Sequence, residues 1–315
     1  MLLNRTNIHL FLFYTAVLLM AVGFLCSRTL LSIGTISLIA NTFIQGDLKE
    51  RFSKFSSDKL SIGISCLFLL PFVSGLWSSN KQEWAGIMQD KLPLLLLPFA
   101  LIFQKGVERK QLLCFKLFWI GLMFAGSVWS TAQYAAELQY FNNAYRFSQT
   151  IPTPAAGDHI RFSIGIVIAL LFWLKLEEWK ITISRLVTLL VRAAAVWLTV
   201  YLHILGAKTG LLGLYVVVLP LFILQLHATG KRNLASSALA MVLCLPLLAY
   251  AVLPTFRVRV QYVLFEKVNW HSQEFAGNFS DANRWASIQS GWNLFKHNWL
   301  PGVGYGDIKT QAADW

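Results

Sequence analysis

Charged residues are scarce in this sequence, and the scarcity excludes an ordinary soluble domain. Of the 315 residues, 13% are charged and 56% are hydrophobic, whereas soluble domains carry about a quarter charged residues. Lysine and arginine outnumber aspartate and glutamate by 27 to 15. These basic residues are dispersed between long apolar runs, which argues against a nucleic-acid partner. We therefore predict a polytopic membrane protein that contacts membrane lipids and whose basic residues set its topology.

Cysteine is also rare, and the spaced motifs of metal and cofactor sites are missing. No CxxC pair exists among the cysteines, which all lie in or at the ends of apolar runs: Cys26, Cys66, Cys114 and Cys244. Disulfides and structural zinc are therefore not expected. No HExxH motif and no glycosidase pattern of paired carboxylates is present. The stretch GVGYGD at 302–307 lacks the third glycine of a dinucleotide fingerprint and is predicted to be a turn. We expect neither a metal nor a cofactor.

What the sequence has instead is a series of apolar segments. About nine are long enough to cross a membrane, for which roughly 17–25 residues are needed: 8–26, 29–46, 60–78, 88–104, 111–131, 159–175, 186–205, 210–227 and 235–253. The first is predicted to be an uncleaved span, because it lacks a small-x-small cleavage site. The predicted fold is thus all-α, with a transmembrane domain at 1–253 and a loop segment at 254–315.

The basic residues predict which side of the membrane each connector faces. With the N-terminus in the cytoplasm, the inner connectors hold more than twice as many lysines and arginines as the outer ones, in agreement with the positive-inside rule. Nine spans then place 254–315 on the outer side. The outer connector 132–158 is predicted to contain a helix in the interface plane, because apolar residues recur at helical spacing: Tyr134, Leu138, Phe141 and Tyr145.

The segment Ser280–Asp307 does not have the composition of a membrane span. It opens with Ser280 and Asp281, residue types that cap helix N-termini, and Pro301 is expected to end the helix. Between them, apolar residues recur at helical spacing: Trp285, Ile288, Trp292 and Phe295. This pattern predicts an amphipathic helix in the large outer loop. Arg284 lies in its first turn, where the helix dipole disfavours a cation, which suggests that Arg284 is placed there for another reason.

Among the cations predicted to face the outer side, the most informative set is Arg161, Lys208, Arg257, Arg259 and Arg284. Arg161 lies at the outer end of the sixth span, and Lys208 lies in the tight hairpin GAKTG. Together with Arg284 they are predicted to converge on one anion, for which a lipid-linked pyrophosphate is chemically suited. His159, two residues before Arg161, is a candidate acid or base at the same site because imidazole titrates near neutrality.

Structural explanations stand beside each of these assignments. Lys208 could be an interface lysine that extends to the lipid headgroups, and His159 could be a hydrogen-bonded structural histidine. Arg161 could pair with Asp158, and Arg284 with Asp281. The remaining two cations, Arg257 and Arg259, are assigned to lipid headgroups or to the protein surface. Only the whole set, all on one side, favours the functional interpretation.

The helix NRWASIQSGWNLF followed by PGVGYGD, with the hairpin GAKTG and further spans before it, resembles the O-antigen ligase and polymerase superfamily. The resemblance implies an inverting, metal-independent glycosyltransferase at the periplasmic face of the bacterial inner membrane. Its donor would be a glycan on undecaprenyl pyrophosphate, and its acceptor a sugar hydroxyl, as on lipid A–core in a ligase or on a growing glycan in a polymerase. Arg284 matches the loop arginine that engages the donor pyrophosphate. Lys208 stands where many members have arginine in an S-R-T-G-like hairpin, and both are assigned as catalytic.

The resemblance also implies a histidine further along the loop, in an H-N-x-x-L-like motif that activates the acceptor hydroxyl. This sequence ends at Trp315 without that motif. We therefore expect a truncated chain that is inactive alone, with the base beyond Trp315. An alternative from another class is a transporter or flippase of lipid or polysaccharide, for which His203 and a helix broken at Pro93 and Pro98 are the candidate features.

Overall fold

The computed structural model describes residues 5–46, 48–102, 106–147, 149–154, 157–176, 184–269, 280–300 and 302–313. The regular elements in these ranges are helices: α1 (Arg5–Cys26), α2 (Arg28–Gln45), α3 (Leu48–Ser57), α4 (Lys59–Ser74), α5 (Lys81–Leu101), α6 (Arg109–Ala136), α7 (Leu138–Ala144), α8 (His159–Leu174), α9 (Arg185–Leu205), α10 (Lys208–Gly213), α11 (Leu219–Ala228), α12 (Arg232–Val252), α13 (Pro254–Asn269), α14 (Ser280–His297) and α15 (Ile308–Ala313). A 3₁₀ turn follows α7 at Tyr145–Phe147, and a π-helical turn, Leu214–Val218, joins α10 to α11.

Each of the nine predicted spans overlaps a helix or an unbroken helical run. The span predicted at 60–78 extends beyond the end of α4 at Ser74, and the last residues of 88–104 lie outside the described ranges. Four of these are long and apolar enough to cross a membrane: Asn7–Cys26, Arg109–Ala136, Arg185–Leu205 and Lys208–Ala228. Two bent helix pairs raise the number to 6 if each pair is one span, and α4 and α8 are shorter apolar helices. The chain is therefore an all-helical, multi-pass membrane protein. Nine crossings remain a prediction.

Prolines inside two helices have different consequences. The break expected at Pro93 and Pro98 is wrong, because α5 runs without interruption from Lys81 to Leu101. In α12, by contrast, the axis bends by 42° between Ala240 and Cys244. Pro246 lies just beyond this bend. A proline has no N–H to donate to the carbonyl four residues earlier, and its ring crowds that carbonyl, which accounts for the bend.

The chain divides into two compact units, and the first comprises residues 1–20, 29–106 and 266–315. Within it, Gly34 lets α2 approach α1, since a Cβ there would lie 2.8 Å from the Ala16 carbonyl oxygen. The buried His9 Nδ1 and Asn41 Oδ1 are 2.7 Å apart. Arg51 is fully buried and donates to the Ala100 carbonyl near the end of α5 at 3.1 Å. His9, Asn41 and Arg51 thus each have a polar partner, as an apolar interior requires.

The second unit comprises residues 21–28 and 107–265 and is built on α6, α8 and α9. Its core contains the fully buried side chains Phe162, Ile166, Leu170, Leu198 and Leu202. The aromatic residues of this core also find partners for their polar tips. Trp119 Nε1 donates to the Gly165 carbonyl at 3.0 Å, Trp197 Nε1 to Ser127 Oγ at 2.9 Å, and the Tyr201 hydroxyl to Ser130 Oγ at 2.7 Å.

The connector after α6 differs from its prediction. α6 continues to Ala136, and the chain leaves helical geometry at Glu137, with φ −132° and ψ 48°, before α7 begins. The single interfacial helix predicted across this stretch is therefore wrong, since Tyr134 belongs to α6 and Tyr145 to the 3₁₀ turn. Tyr145 is fully buried. Its ring faces the protein, not an interface.

His203, the titratable residue that was a candidate for a transport role, is buried within the second unit. Its Nε2 lies 2.7 Å from the Tyr215 hydroxyl, and its Nδ1 lies 2.8 Å from the Thr199 carbonyl oxygen. Tyr215 belongs to the π-helical turn. Both ring nitrogens thus lie within hydrogen-bonding distance of groups on α9 and on the π-helical turn. This arrangement indicates a structural role for His203.

Candidate functional site

The hairpin GAKTG forms a tight reversal between α9 and α10. Gly206 ends α9 with φ +60° and ψ 23°, a left-handed conformation that glycine adopts without the Cβ penalty of other residues. Its N–H donates to the Leu202 carbonyl at 3.0 Å. Ala207 then precedes Lys208, the first residue of α10. The predicted hairpin is confirmed, and the reversal places Lys208 in the first turn of the run Lys208–Ala228.

Tyr145 stabilises this reversal from the connector after α7. Its hydroxyl lies 3.2 Å from the Ile204 carbonyl oxygen and 2.9 Å from that of Leu205, two of the carbonyls that a helix C-terminus leaves without intrahelical partners. Burial raises the pKa of the Tyr145 phenol, while the positive charge of Arg259 acts in the opposite direction. The phenol therefore stays protonated and serves as a donor at neutral pH.

Two helix N-termini lie side by side here. A Cβ on Gly210 would lie 2.6 Å from Ser163 Cβ, and one on Gly213 would lie 2.8 Å from Val167 Cγ2. Residues advance in the same direction along both helices in these contacts, so α8 and α10 run parallel. The Ser163 and Thr209 hydroxyl oxygens are 3.4 Å apart. The first turns of α8 and α10 therefore lie at the same end. The Asp158 side chain caps α8, whereas α10 has no side-chain cap.

Arg161 belongs to the first turn of α8. The Asp158 side chain caps this helix by accepting the Arg161 backbone N–H at 2.9 Å, and its other oxygen lies 3.8 Å from Arg28 Nη2. The Arg161 guanidinium lies 5.6 Å from the centre of the Phe24 ring, within cation–π range, and its Nε is buried. Arg161 is thus half-buried and held against the second unit. His159, the first residue of α8, is half-buried in the same turn.

Arg259 was predicted to bind lipid headgroups or to lie on the protein surface. In the structure its side chain packs on the hairpin. A Cβ on Gly206 would lie 3.4 Å from Arg259 Cγ and 3.6 Å from its Cβ, so the Arg259 stem packs on the glycine. Its Nε is buried, and the guanidinium lies 5.8 Å from the centre of the Tyr262 ring. The glycine at 206, which leaves room for a neighbour, is the sequence signal that could have suggested this contact.

Arg257, two residues earlier on α13, has a different environment. Its Nε donates to the Tyr250 carbonyl at 3.1 Å and its Nη2 to the Ala251 carbonyl at 2.6 Å. Both carbonyls belong to the end of α12, where a cation is favoured by the helix dipole. Arg257 therefore caps the C-terminal end of α12. Because it lies two residues from Arg259 but has a different role, it is a matched control for substitutions of Arg259.

Arg161, Lys208 and Arg259 are thus carried by three segments that meet at the hairpin, and we call these three residues the basic corner. Each of the three is half-buried. Arginine forks and the lysine ammonium are the side chains that bind phosphate oxygens most strongly. An anion with several acceptor oxygens is therefore the kind of ligand that these three side chains suit chemically.

Arg284 lies in the first unit, on α14, and its side chain is exposed. The helix predicted from Ser280 is confirmed and ends at His297, before Pro301. The apolar side chains that defined its face are exposed: Trp285, Ile288, Trp292 and Phe295. The alternative pairing of Arg284 with Asp281 falls outside the described side chains. The assignment of Arg284 to an anion site remains a prediction.

Other parts of the described chain do not add a site of this kind. No cluster of three or more His, Cys, Asp or Glu side chains suited to a metal ion occurs among the described residues. A cavity of about 880 Å³ lies along α6 and α9, between apolar side chains such as Phe124, Val128 and Leu190. A second, of about 530 Å³, is lined by Arg192, Lys231 and the helices around them. The basic corner borders neither cavity.

Residues 193–315 match a family model described as O-antigen ligase. The matched region begins within α9 and contains the hairpin, Arg259 on α13, the whole of α14 and the turn after it. No curated protein and no solved structure matches the chain. The resemblance drawn from GAKTG, the arginine-containing helix and PGVGYGD is confirmed. Residues 193–315 of this chain are thus similar to the O-antigen ligase family.

Proposed function

We propose that this protein is an inverting, metal-independent glycosyltransferase that moves a glycan from undecaprenyl pyrophosphate to a sugar hydroxyl, as an O-antigen ligase does with lipid A–core. The observation that carries the proposal is the basic corner on the GAKTG hairpin, within or packed against the region that matches the family. A pyrophosphate offers several acceptor oxygens close together, which suits cations held on three different segments.

In this proposal the acceptor hydroxyl attacks the anomeric carbon, and the bond from that carbon to the pyrophosphate oxygen breaks. The pyrophosphate leaves with both electrons of that bond, and its growing negative charge is stabilised by Arg161, Lys208 and Arg259. Arg284 is proposed to bind the same donor from the loop. The hydroxyl proton passes to a base, for which His159 is a candidate in the first turn of α8. Stabilising a leaving group in this way typically contributes about 2.7–4 kcal/mol per donor in other enzymes.

The proposal includes an orientation. The N-terminus faces the cytoplasm, nine segments cross the inner membrane, and the ends of α8 and α10 that carry the basic corner face the periplasm together with 254–315. The excess of basic residues in the opposite connectors supports this placement. A cytoplasm-active reporter fused after Trp315 should be silent, and a periplasm-active reporter should give signal. The reverse pattern contradicts the orientation.

Donor binding tests the corner directly. With purified protein and a lipid-linked oligosaccharide, Arg161→Ala, Lys208→Ala, Arg259→Ala or Arg284→Ala should each weaken binding roughly 10- to 150-fold, because each removes a charged hydrogen bond of about 1.5–3 kcal/mol. Lys208→Arg should bind at least as well as the parent, since a guanidinium binds two phosphate oxygens at once.

Arg257→Ala is the matched control, because Arg257 caps α12 and lies only two residues from Arg259 on the same helix. It should leave the donor affinity close to that of the parent. If Arg257→Ala and Arg259→Ala weaken binding equally, the effect is one of net charge or folding and the corner is not the binding site. Parent-like affinity in all four test variants would falsify the proposal.

A polymerase of surface glycan is the second candidate, since ligases and polymerases of this superfamily share the donor and the family match includes both. The two differ in the acceptor. Incubating the full-length protein with lipid-linked oligosaccharide and lipid A–core should yield glycosylated lipid A–core for a ligase. A ladder of longer lipid-linked glycans without transfer to lipid A–core identifies a polymerase.

A further inference from the structure

The turn PGVGYGD has a partner in the first unit, the connector between α4 and α5. The Asp307 carboxylate accepts the backbone N–H of Ser79 on Oδ2 at 2.7 Å and that of Asn80 on Oδ1 at 2.8 Å. The Tyr305 N–H donates to Ser74 Oγ at 3.2 Å, and the Gly306 N–H donates to Ser78 Oγ at 3.1 Å. Four hydrogen bonds therefore join the turn to the last residue of α4 and to the loop after it, and we call this contact the glycine joint.

Two of the glycines are required by the closeness of the backbones. A Cβ on Gly304 would lie 2.2 Å from Ser78 Cα, and one on Gly306 would lie 2.2 Å from the Asn80 carbonyl oxygen. Real side chains do not tolerate such distances, and backbone atoms cannot swing aside as a flexible side chain can. By contrast, a Cβ on Gly291 of α14 would meet nothing within 4 Å. The sequence PGVGYGD predicted only a turn, but two of its glycines are also needed for close contact with the connector between α4 and α5.

Charge also favours the joint. Asn80 caps α5, its side chain accepting the Glu83 N–H at 3.0 Å, so Asp307 places a negative charge at the start of a helix, where the dipole stabilises it. The hydrogen bonds from Ser79 and Asn80 lower the pKa of Asp307 from its ordinary value of 3.8. Around this centre, Lys309 Nζ lies 2.5 Å from Glu83 Oε1, and Lys91 lies 5.5 Å from the centre of the Tyr305 ring.

We propose that the glycine joint anchors the end of the loop segment to the α4–α5 connector, and that Asp307 is a positioning residue for Arg284. The chain path supports this role: α14 carries Arg284, packs against α15, and is linked through the turn to Asp307, which precedes α15. Fixing the turn therefore limits where α14 can lie. The anchoring stands on contacts alone, whereas the role toward Arg284 rests on the proposed function.

Cross-linking tests the anchoring without any activity. In a chain with its four cysteines replaced by serine, Glu83→Cys and Lys309→Cys provide two thiols, and a protease site is inserted within 270–279. A short bifunctional maleimide should then hold the two fragments together after cleavage. Gly304→Ala should abolish the link, and Asp307→Asn should reduce its yield several-fold, because the amide carries no charge and has one acceptor oxygen instead of two.

Gly291→Ala is the matched control and should leave the yield unchanged, since it makes the same chemical change where there is room. No link in the cysteine pair without further substitutions, or equal yields in Gly304→Ala and Gly291→Ala, overturns the joint.

The positioning role needs a readout that a purely structural role would not move. Asp307→Asn should weaken donor binding in the parent but cause no further weakening in an Arg284→Ala background, since a residue that acts through another loses its effect when that other is removed. An equal further loss in both backgrounds shows that Asp307 acts by some other route and overturns the positioning role. If Arg284→Ala itself binds donor like the parent, the proposed function of Arg284 fails while the cross-link still decides the joint.

Discussion

Two glycine-rich turns of this chain place charges of opposite sign beside helix N-termini. At Gly206–Gly210 the charges are positive: Lys208 begins α10, and Arg259 packs on Gly206. At Gly302–Asp307 the charge is negative, and the Asp307 carboxylate accepts the two N–H groups that precede α5. The helix dipole stabilises the second arrangement and opposes the first, although both turns use glycine in the same way to bring segments close.

The two turns differ in what surrounds their charges. The negative turn is satisfied by its own protein, with each carboxylate oxygen occupied by a backbone donor. The positive turn gathers cations beside helix N-termini, and we propose that an anion binds to them there. On this proposal, inorganic pyrophosphate in the buffer should stabilise the positive turn and leave the negative turn unchanged.

The largest effect that can break this comparison is expected at Gly210. Gly210→Ala places a methyl group 2.6 Å from Ser163 Cβ and 2.9 Å from Leu202 Cδ2, and overpacking of this kind costs about 1–3 kcal/mol. The midpoint of thermal unfolding in detergent should fall by several degrees. Gly121→Ala, with nothing within 4 Å of its new methyl, should not shift it. Ser163→Gly combined with Gly210→Ala should restore most of the loss, and failure to do so contradicts the parallel packing of α8 on α10.

An intermediate loss of stability is expected at Tyr145, whose hydroxyl contacts the carbonyls at the start of the positive turn. Tyr145→Phe removes the hydroxyl that binds the Ile204 and Leu205 carbonyls, at a cost of about 0.5–1.5 kcal/mol for the lost hydrogen bonding. Thermal unfolding measures the loss. Tyr134→Phe is the control, because its hydroxyl binds the Asn142 side chain outside the hairpin. Equal losses in the two variants would show that Tyr145 does not hold the hairpin in particular.

The smallest effect is expected at the edge of the negative turn. Lys309 is exposed and pairs with the partly exposed Glu83, and surface ion pairs contribute about 0.2–1 kcal/mol. Lys309→Ala should thus leave the cross-link between Lys91→Cys and Tyr305→Cys nearly unchanged. In the same background, Asp307→Asn should reduce the link clearly. If Lys309→Ala reduced the yield of the link more than Asp307→Asn, the exposed Lys309–Glu83 pair, and not the Asp307 carboxylate, would be the main anchor.

The positions of the helices could be predicted from sequence because apolar length is a local property. Each predicted span overlaps a helix, and the turn at 302–307 was recognised from its glycines. Where helices end was less predictable. The interfacial helix expected through Tyr134 and Tyr145 fails, because a backbone change at Glu137 divides it, and the burial of Tyr145 depends on carbonyls of another helix. Helical spacing shows which residues share a face but not what covers that face.

The candidate site was predictable only in part, for the same reason. Lys208 and Arg161 were singled out because a charge at the end of an apolar span is costly. Arg259 was not, since nothing local distinguishes it from Arg257, and only the contact with Gly206 separates the two. The partner of Asp307 was also out of reach, because Ser79 lies 228 residues earlier in the chain. A motif that contacts a backbone far away in the sequence does not reveal, in its own residues, which segment it contacts.

The π-helical turn at Leu214–Val218 has a consequence for how this region tolerates insertion and deletion. One run of helix touches α8 at two levels, through Gly213 against Val167 and through Phe222 against Trp173, whose ring centres are 5.5 Å apart. The wider turn between them sets the angular phase of the two contacts. Deleting a single residue there would convert it to ordinary α-helix and rotate Phe222 by about 100° relative to Gly213. Homologous chains should therefore vary in length on either side of this turn, and not within it.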